Sequence, residues 1–427
     1  MRRFFMQARR ILHTADWHLG QSFHGYDRTW EHEQFLAWLL LAVREHEADA
    51  LFIAGDVFDT VAPSSAAQRL WFDFLAELVR IRPACDVVAI AGNHDSAARL
   101  DAPEALTRAL GLHIVGAARA ADGCFDPARL VIPLGARYGE PWGYVAAVPF
   151  LRHDDLGTLT ALQEADAFLT LTRARHEAVF AELARRAGPE HARFAIGHGV
   201  LLGTQRSSDS ERDVRIGNVD GVPVDVFPEE LTYVALGHLH RPQQVGGRQG
   251  VCYAGSPLPM HVSEADYQHR VVRVTSEGSV RTAVESLLLP KWVAVERVPR
   301  GNKPASMDDA LTALLALPSR AELPATARPY VEVRYLADGP RPQFHAEVEA
   351  ALEGKGYRLT AVRAVFPETT TVSSGYSGEG RSLKELDPVD VFRAHYQRRY
   401  QNEGPSEALV TAFQSLLASV STPGGKE

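Results

Sequence analysis

Short apolar runs punctuate the first half of the chain, and each is followed at once by residues that can hold a metal. Ile11–Ala15 runs into Asp16 and His18, Ala50–Ala54 into Gly55, Asp56 and Asp59, and Val87–Ala91 into Gly92, Asn93, His94 and Asp95. Phe194–Ile196 leads to Gly197 and His198, and Tyr233–Leu236 leads to Gly237, His238 and His240. Continuous apolar character over so few residues predicts strands buried on both faces. Helical patterns over Thr29–Glu47 and Ser64–Arg80 separate the first three runs, as parallel βαβ units require. Parallel sheets gather ligands at the carboxyl ends of their strands, so the pattern predicts an α/β fold whose motifs converge in one cleft.

The pattern changes beyond about residue 285. Lys291–Val298, Tyr330–Leu336 and Tyr357–Phe366 read as strands, with helices over Met307–Leu317 and Phe344–Glu353 between them, a small α+β module. Thr369 to Ser382 is rich in Thr, Ser and Gly and reads as a linker. Two helices follow, Pro388–Tyr400 and Pro405–Val420. Val389, Phe392, Tyr396 and Tyr400 fall on one stripe, and Leu409, Phe413, Leu416 and Val420 on another. These stripes either pack on their own domain or, behind a linker, dock on a partner. The second reading puts the boundaries at 1–285, 286–368, 369–384 and 385–427.

Composition excludes little. The longest apolar run, Phe35 to Val43, spans nine residues, short of the roughly 20 needed to cross a bilayer, so no membrane segment is expected. Gln7, Arg9 and Arg10 interrupt any apolar signal core. Three widely spaced cysteines, Cys85, Cys124 and Cys252, suit a reducing cytoplasm and offer no zinc-ligand pairing. A net charge of −8 argues against a general nucleic-acid coat. It leaves a nuclease open, because local basic patches and bound cations govern such contacts.

The motifs carry the chemistry. Phosphodiesters resist hydrolysis because an anionic substrate repels the nucleophile and the alkoxide leaves poorly. Two divalent ions about 3.5–4 Å apart answer both problems. Such a pair needs a bridging carboxylate with Asp, Asn and His on either side, and the mixed nitrogen and oxygen donors suit manganese, iron or zinc better than calcium. Asp-x-His alone means nothing, but five such motifs in this order, each after a strand, are specific. Asp59 and Asp95 either fix a loop or orient a neighbouring histidine, and the histidine reading is preferred. Of the 17 histidines, His24, His32, His46, His176, His345 and His395 are expected at the surface, and His13 in the core. Trp17 could stack on a base or pack beneath its loop. Arg206, Arg212 and Arg215, interspersed with Asp209, Glu211 and Asp213, could touch phosphates or form a solvated loop.

The five motifs resemble those of the calcineurin-like metallophosphatases. The flanking segments Ile11–Gly20, Gly55–Thr60 and Ala235–Gln243 resemble the SbcD family of bacterial nuclease subunits within that group. The resemblance extends over almost the whole chain, including Ser207–Gly217 and the terminal helices. It implies a β-sandwich flanked by helices, with an α+β capping domain and a C-terminal helix pair. One metal would be held by Asp16, His18, Asp56 and His240, and the other by Asp56, Asn93, His198 and His238, with Asp56 bridging. His94 matches the position that protonates the leaving oxygen or orients the phosphate. Asp59 matches the bacterial pattern, where archaeal and eukaryotic relatives carry histidine. Serine/threonine phosphatases of this fold are less similar, having Arg-Gly where Thr60 and Val61 stand and Glu in place of Asp95. The resemblance further implies two manganese ions and a homodimer formed through the nuclease domain. It implies a heterotetramer with the SbcC ATPase, with the terminal helices seated on the base of the SbcC coiled coil. The expected substrates are DNA ends, hairpins and single strands, handled in the cytoplasm. Two rival readings are a small-molecule phosphodiesterase or phosphatase on the same fold, and a scaffold with a vestigial site. The complete ligand set argues against the scaffold.

Overall fold

The computed structural model describes residues 7–120, 122–156, 165–207, 211, 221–301, 304–337, 341–365, 388–400 and 404–421. The linker stretch Thr369–Ser382 lies outside them, as do Asp209, Arg212, Asp213 and Arg215.

Parallel strands buried on both faces need cover on both sides, and the alternation of side chains supplies it. Arg9–Thr14, Ala50–Ala54, Asp86–Ile90 and Leu112–Val115 run parallel in one six-stranded sheet, and the antiparallel hairpin Arg270–Glu277 and Val280–Leu288 completes its far edge. Leu12, Leu51, Ile53, Val87 and Ala89 pack under helices Thr29–Glu45 and Ser65–Ile81. Their neighbours Ile11, Phe52, Val88 and Ile90 face the other way, into the core that the sheet shares with a second one. That second six-stranded sheet runs in the order Gln243–Val245, Arg248–Tyr253, Tyr233–Gly237, Ala192–His198, Gly143–Val148, Val131–Leu134. Phe52 and Phe194 meet edge to face across the sandwich, with ring centroids 5.5 Å apart. The expected β-sandwich flanked by helices is the observed architecture of the larger unit.

His13 sits in that core as expected, its ring Nδ1 2.9 Å from the Tyr233 hydroxyl. Two of the histidines expected at the surface are instead buried. His32 is 0% exposed on the inner face of Thr29–Glu45. His176 donates from Nδ1 to the Thr172 carbonyl at 2.8 Å and lies against Phe227. Polar flanks hid the fact that both fall on the buried stripe of a helix. Trp17 also packs: it is fully buried, edge on to Phe35, Trp71 and Phe74.

The chain forms two compact units, one reaching to Glu296 and including Ala321–Tyr330, the other Arg297–Arg320 with the residues from Val331 on. Most of a three-stranded sheet, Val295–Val298, Tyr330–Leu336 and Arg358–Val365, falls in the smaller unit, where helices Met307–Leu315 and Phe344–Leu352 pack on it. Its terminal helices are Pro388–Arg399 and Glu407–Ser421. Phe392 and Phe413 stack there with centroids 4.2 Å apart and planes 11° from parallel. Val410 is buried, whereas Leu409 and Val391 are exposed. Among the described residues no helix is long and apolar enough to cross a membrane.

Candidate metal centre

Three of the motifs leave their strands through sharp turns. Asp16, His18 and Asp56 all have left-handed backbones, with φ of 55°, 48° and 49°, and His238 has φ 103°. Such conformations cost about 1–3 kcal/mol each in a non-glycine residue and persist only where the surroundings impose them. Here they are imposed by pairing between loops: Asp16 N donates to Gly55 O, His18 N to Asp56 O and Leu19 N to Val57 O, at 2.9–3.0 Å. Gly92 is required for a different reason. A Cβ there would collide with the Asp56 carboxylate and its backbone nitrogen.

These turns bring two clusters together. Asp16, His18 and His240 offer ligand atoms within 4.8 Å of one another, and so do Asp56, His198 and His238. Asp56 lies between them, its Oδ2 3.7 Å from His18 Nε2 and 3.4 Å from His198 Nε2. Asn93 Oδ1 approaches His198 Nε2 at 3.1 Å and His238 Nδ1 at 2.8 Å. All seven expected ligands therefore meet at the carboxyl ends of strands from both sheets.

The histidines are oriented by their other ring nitrogen, as metal-binding imidazoles commonly are. His198 Nδ1–H donates to the Ala54 carbonyl at 2.7 Å, and His18 Nδ1 lies 3.2 Å from Asp59 Oδ1. His240 Nδ1 lies 3.1 Å from Glu264 Oε1. Glu264 is fully buried, and its Oε2 accepts from Met260 N at 2.7 Å. Nothing in the sequence marks this residue, which follows no strand and stands far from any motif. Glu211, expected within a mixed-charge loop, accepts from His240 N through Oε1 at 2.8 Å and from Ser207 N through Oε2 at 2.9 Å. For Glu211 the solvated-loop reading is corrected.

Asp95 also requires a correction. Among the described residues its carboxylate bonds no histidine ring; it accepts from the backbone nitrogens of Val57, Phe58 and Gly92 at 2.9–3.1 Å. It thereby ties the loop that carries Asp56 to the loop that carries Asn93, where three backbone donors needed an acceptor. Arg152 closes the same loop from outside, donating to the carbonyls of Gly92 and Asp95. His94 stands at the rim, half-buried. Its Nδ1–H donates to the Asp59 carbonyl at 2.8 Å, and its ring meets that of His18 with centroids 4.7 Å apart.

The electrostatics are those of a site short of positive charge. Burial opposes ionisation of Asp56, but the His198 and His18 imidazoles beside it hold its carboxyl well below the usual range. Burial pushes Asp16 up to about 7, with the Asp56 charge adding to the effect. His198 and His240 are raised to about 9 despite burial, by Asp56 and Glu264 respectively, while burial and the His198 charge lower His238 to about 3. Protons on two imidazoles stand where cations would compensate the carboxylates. Among the described residues Asp16 Oδ2 and His18 Nε2 are buried without hydrogen-bond partners, although they lie in one ligand cluster. Buried polar atoms left unpaired are costly. These orphans, and a donor set of carboxylate, amide and imidazole, fit divalent metal ions.

Known proteins similar to this chain identify its family. A family model described as calcineurin-like phosphoesterase matches residues 9–242. One described as Type 5 capsule protein repressor C-terminal domain matches residues 292–400. The SbcD component of the SbcCD nuclease of Rhodobacter capsulatus is 39% identical over 393 residues, covering 91% of this chain and 94% of that protein. Its counterpart in Escherichia coli K12 is 36% identical over 414 residues, 96% and 98% of the two chains. That of Bacillus subtilis is 28% identical over 423 residues, 98% and 100% of the two. Similarity at this length, through both units, sets the small-molecule phosphodiesterase aside: the chain belongs to the calcineurin-like phosphoesterase family, as a hydrolytic nuclease subunit of its SbcD branch.

Proposed function

We propose that this chain is a manganese-dependent DNA nuclease, cutting both from ends and internally, that works in a heterotetramer with the SbcC ATPase. The observation that carries the reading is the pair of ligand clusters either side of Asp56. In this reading Asp16, His18, Asp56 and His240 hold one ion, and Asp56, Asn93, His198 and His238 hold the other. Two bound divalent ions supply an acidified water and neutralise charge on the phosphoryl oxygens.

The chain's own residues do the rest. Asp56 keeps its carboxylate ionised and holds both halves of the site in register. Asp59 fixes the His18 ring, and Glu264 fixes that of His240. The Asp59 carbonyl commits His94 Nδ1, so a proton on Nε2 is the one His94 can deliver to the departing sugar oxygen.

The names of the relatives support an SbcC partner and DNA as the substrate. The domain division that goes with this is a nuclease domain over 1–285, a capping domain over 286–368, a linker over 369–384 and a docking element over 385–427. Val389, Phe392, Tyr396, Leu409, Phe413 and Leu416 would serve the contact with SbcC, Leu409 being the most exposed of those described. The Leu416 side chain lies outside the described residues. Homodimerisation through the nuclease domain and a cytoplasmic setting complete the proposal, with processing of breaks and hairpins in DNA repair as the role. Labelled hairpin DNA tests it. Cleavage should require manganese and should respond to ATP only when SbcC is present. A metal-loaded protein that leaves the hairpin intact under both conditions overturns the reading.

A further inference from the structure

One cavity beside the metal centre has no part in the mechanism above. It measures about 100 Å³, and the rings of His198 and His238 form part of its wall. The remaining wall is mostly apolar, with Phe150, Phe168 and Phe227 the largest contributors. Phe150 stands edge on to His198, with ring centroids 6.2 Å apart and planes at 82°. A ligand and an aromatic wall thus share one surface.

Thr172 also lines the cavity. It is 3% exposed, and its hydroxyl has no hydrogen-bond partner among the described residues. Its neighbour His176 does not serve it, because His176 Nδ1 donates to the Thr172 backbone carbonyl. A buried hydroxyl is costly to leave unpaired, so its presence in an apolar pocket calls for a polar visitor.

We propose that this cavity receives a nucleobase of the strand being cut, from a nucleotide flanking the scissile phosphate. The inference rests on the nuclease reading of the metal centre and adds where the substrate's base goes. A metal ion is the wrong occupant for so apolar a lining, and a protein segment is too large for the volume. An apolar cavity of about 150 Å³ accepts a benzene ring. This one, at about 100 Å³ and partly open, has room for the edge of a flat heterocycle. A nucleotide joins its base to its phosphate through a single sugar, so a phosphate at the centre that His198 and His238 would help to form places a base within reach. The hydroxyl of Thr172 both donates and accepts, and an aromatic face stacks on any base. The pocket therefore tolerates all four bases. The base must leave its stack to enter, which selects single-stranded, frayed or looped DNA over intact duplex.

The test compares manganese-dependent cleavage at one defined phosphate in a single-stranded oligonucleotide with the same strand carrying a tetrahydrofuran abasic residue on the 5′ or the 3′ side of that phosphate. Wild-type protein should cut the abasic strand roughly tenfold or more slowly on one of the two sides, as expected when base stacking is lost. In Phe168→Ala the ratio of the two rates should fall toward one. Thr172→Val, which keeps shape and removes only the hydroxyl, should lower it several-fold, and guards against a folding defect in the first variant. Each ratio is measured within one protein preparation, so a general loss of activity does not mimic the effect. Equal cleavage of base-bearing and abasic strands by the wild type overturns the base pocket while leaving the nuclease reading intact, as do ratios unchanged in both variants. Metal-loaded wild-type protein that cuts none of the strands overturns the nuclease reading and the pocket with it.

Discussion

Glu264 Oε1 lies 3.1 Å from His240 Nδ1, joining a fully buried carboxylate to an expected metal ligand 24 residues before it in sequence. The other carboxylate oxygen is anchored on Met260 N, so Glu264 cannot turn away without stranding a backbone donor. Glu264→Gln removes the charge and presents an amide to that donor. Outer partners of this kind change metal affinity by about 10–100-fold. Calorimetric titration of the metal-free variant with manganese should show a loss of that order at one site and little change at the other. An unchanged pair of affinities refutes a positioning role for Glu264.

Asp56 is placed to be shared, and its loss should be felt on both sides. Asp56→Asn should lower manganese content and nuclease activity together, because one carboxylate serves both clusters. Metal analysis of the purified variant decides the point. Two bound ions with wild-type cleavage would remove Asp56 from the centre.

His94 separates chemistry from metal binding. General acid assistance contributes about 10²–10⁴-fold, so His94→Ala should lose at least a hundredfold in single-turnover rate. Both metals should stay, since His94 is assigned to neither. Near-normal turnover would give its role to another group, and a variant that arrives with one metal missing would make His94 a ligand.

Metal removal should reveal a pH dependence of stability. His198 and His240 are raised to about 9 from an ordinary value near 6.5, so in the metal-free protein their contribution is complete below about 6.5 and fades as pH climbs through about 9. Asp16, raised to about 7, binds its proton more tightly folded than unfolded and acts in the same direction between about 4 and 7. Thermal midpoints with chelator present should therefore fall from pH 6.5 to pH 9. Added metal displaces those protons, so the gain in midpoint on adding manganese should grow across the same range. A metal-induced gain that shrinks toward pH 9 contradicts this assignment.

The terminal helices offer variants that separate packing from docking. Leu409 is exposed, whereas Phe392 and Phe413 stack on each other. Leu409→Ser should weaken co-purification with SbcC and leave metal content and basal cleavage of single-stranded DNA unchanged. Phe413→Ser removes half of the stacked pair and should weaken binding further by loosening the two helices. Full-strength binding by both variants places the SbcC contact elsewhere.

The sequence by itself determined which residues could serve as metal ligands, and in what order they follow their strands. A buried strand and the turn that ends it are local features, so apolar runs ending in Asp, His and Asn at fixed spacing were legible without any contact between them. The helices Thr29–Glu45 and Ser65–Ile81 were legible for the same reason, to within a residue or two at their ends. Several strands were not legible at all. Gly143–Val148 and Arg248–Tyr253 end in no ligand, and short apolar runs do not reveal which partner they will pair with. Asp59 beside His18 fits the histidine reading drawn from the sequence, and tertiary structure decided the other partners. Asp95 met three backbone donors, although its place in a motif suggested a histidine partner, and Glu211 and Glu264, the latter ending the 3-10 helix Val262–Glu264, came to His240 from outside the motifs. His32 and His176 went inside because helix faces, not flanking polarity, set burial. A hydrogen bond between residues far apart in the chain is fixed by how whole elements pack, and that geometry leaves no spacing to read along the sequence.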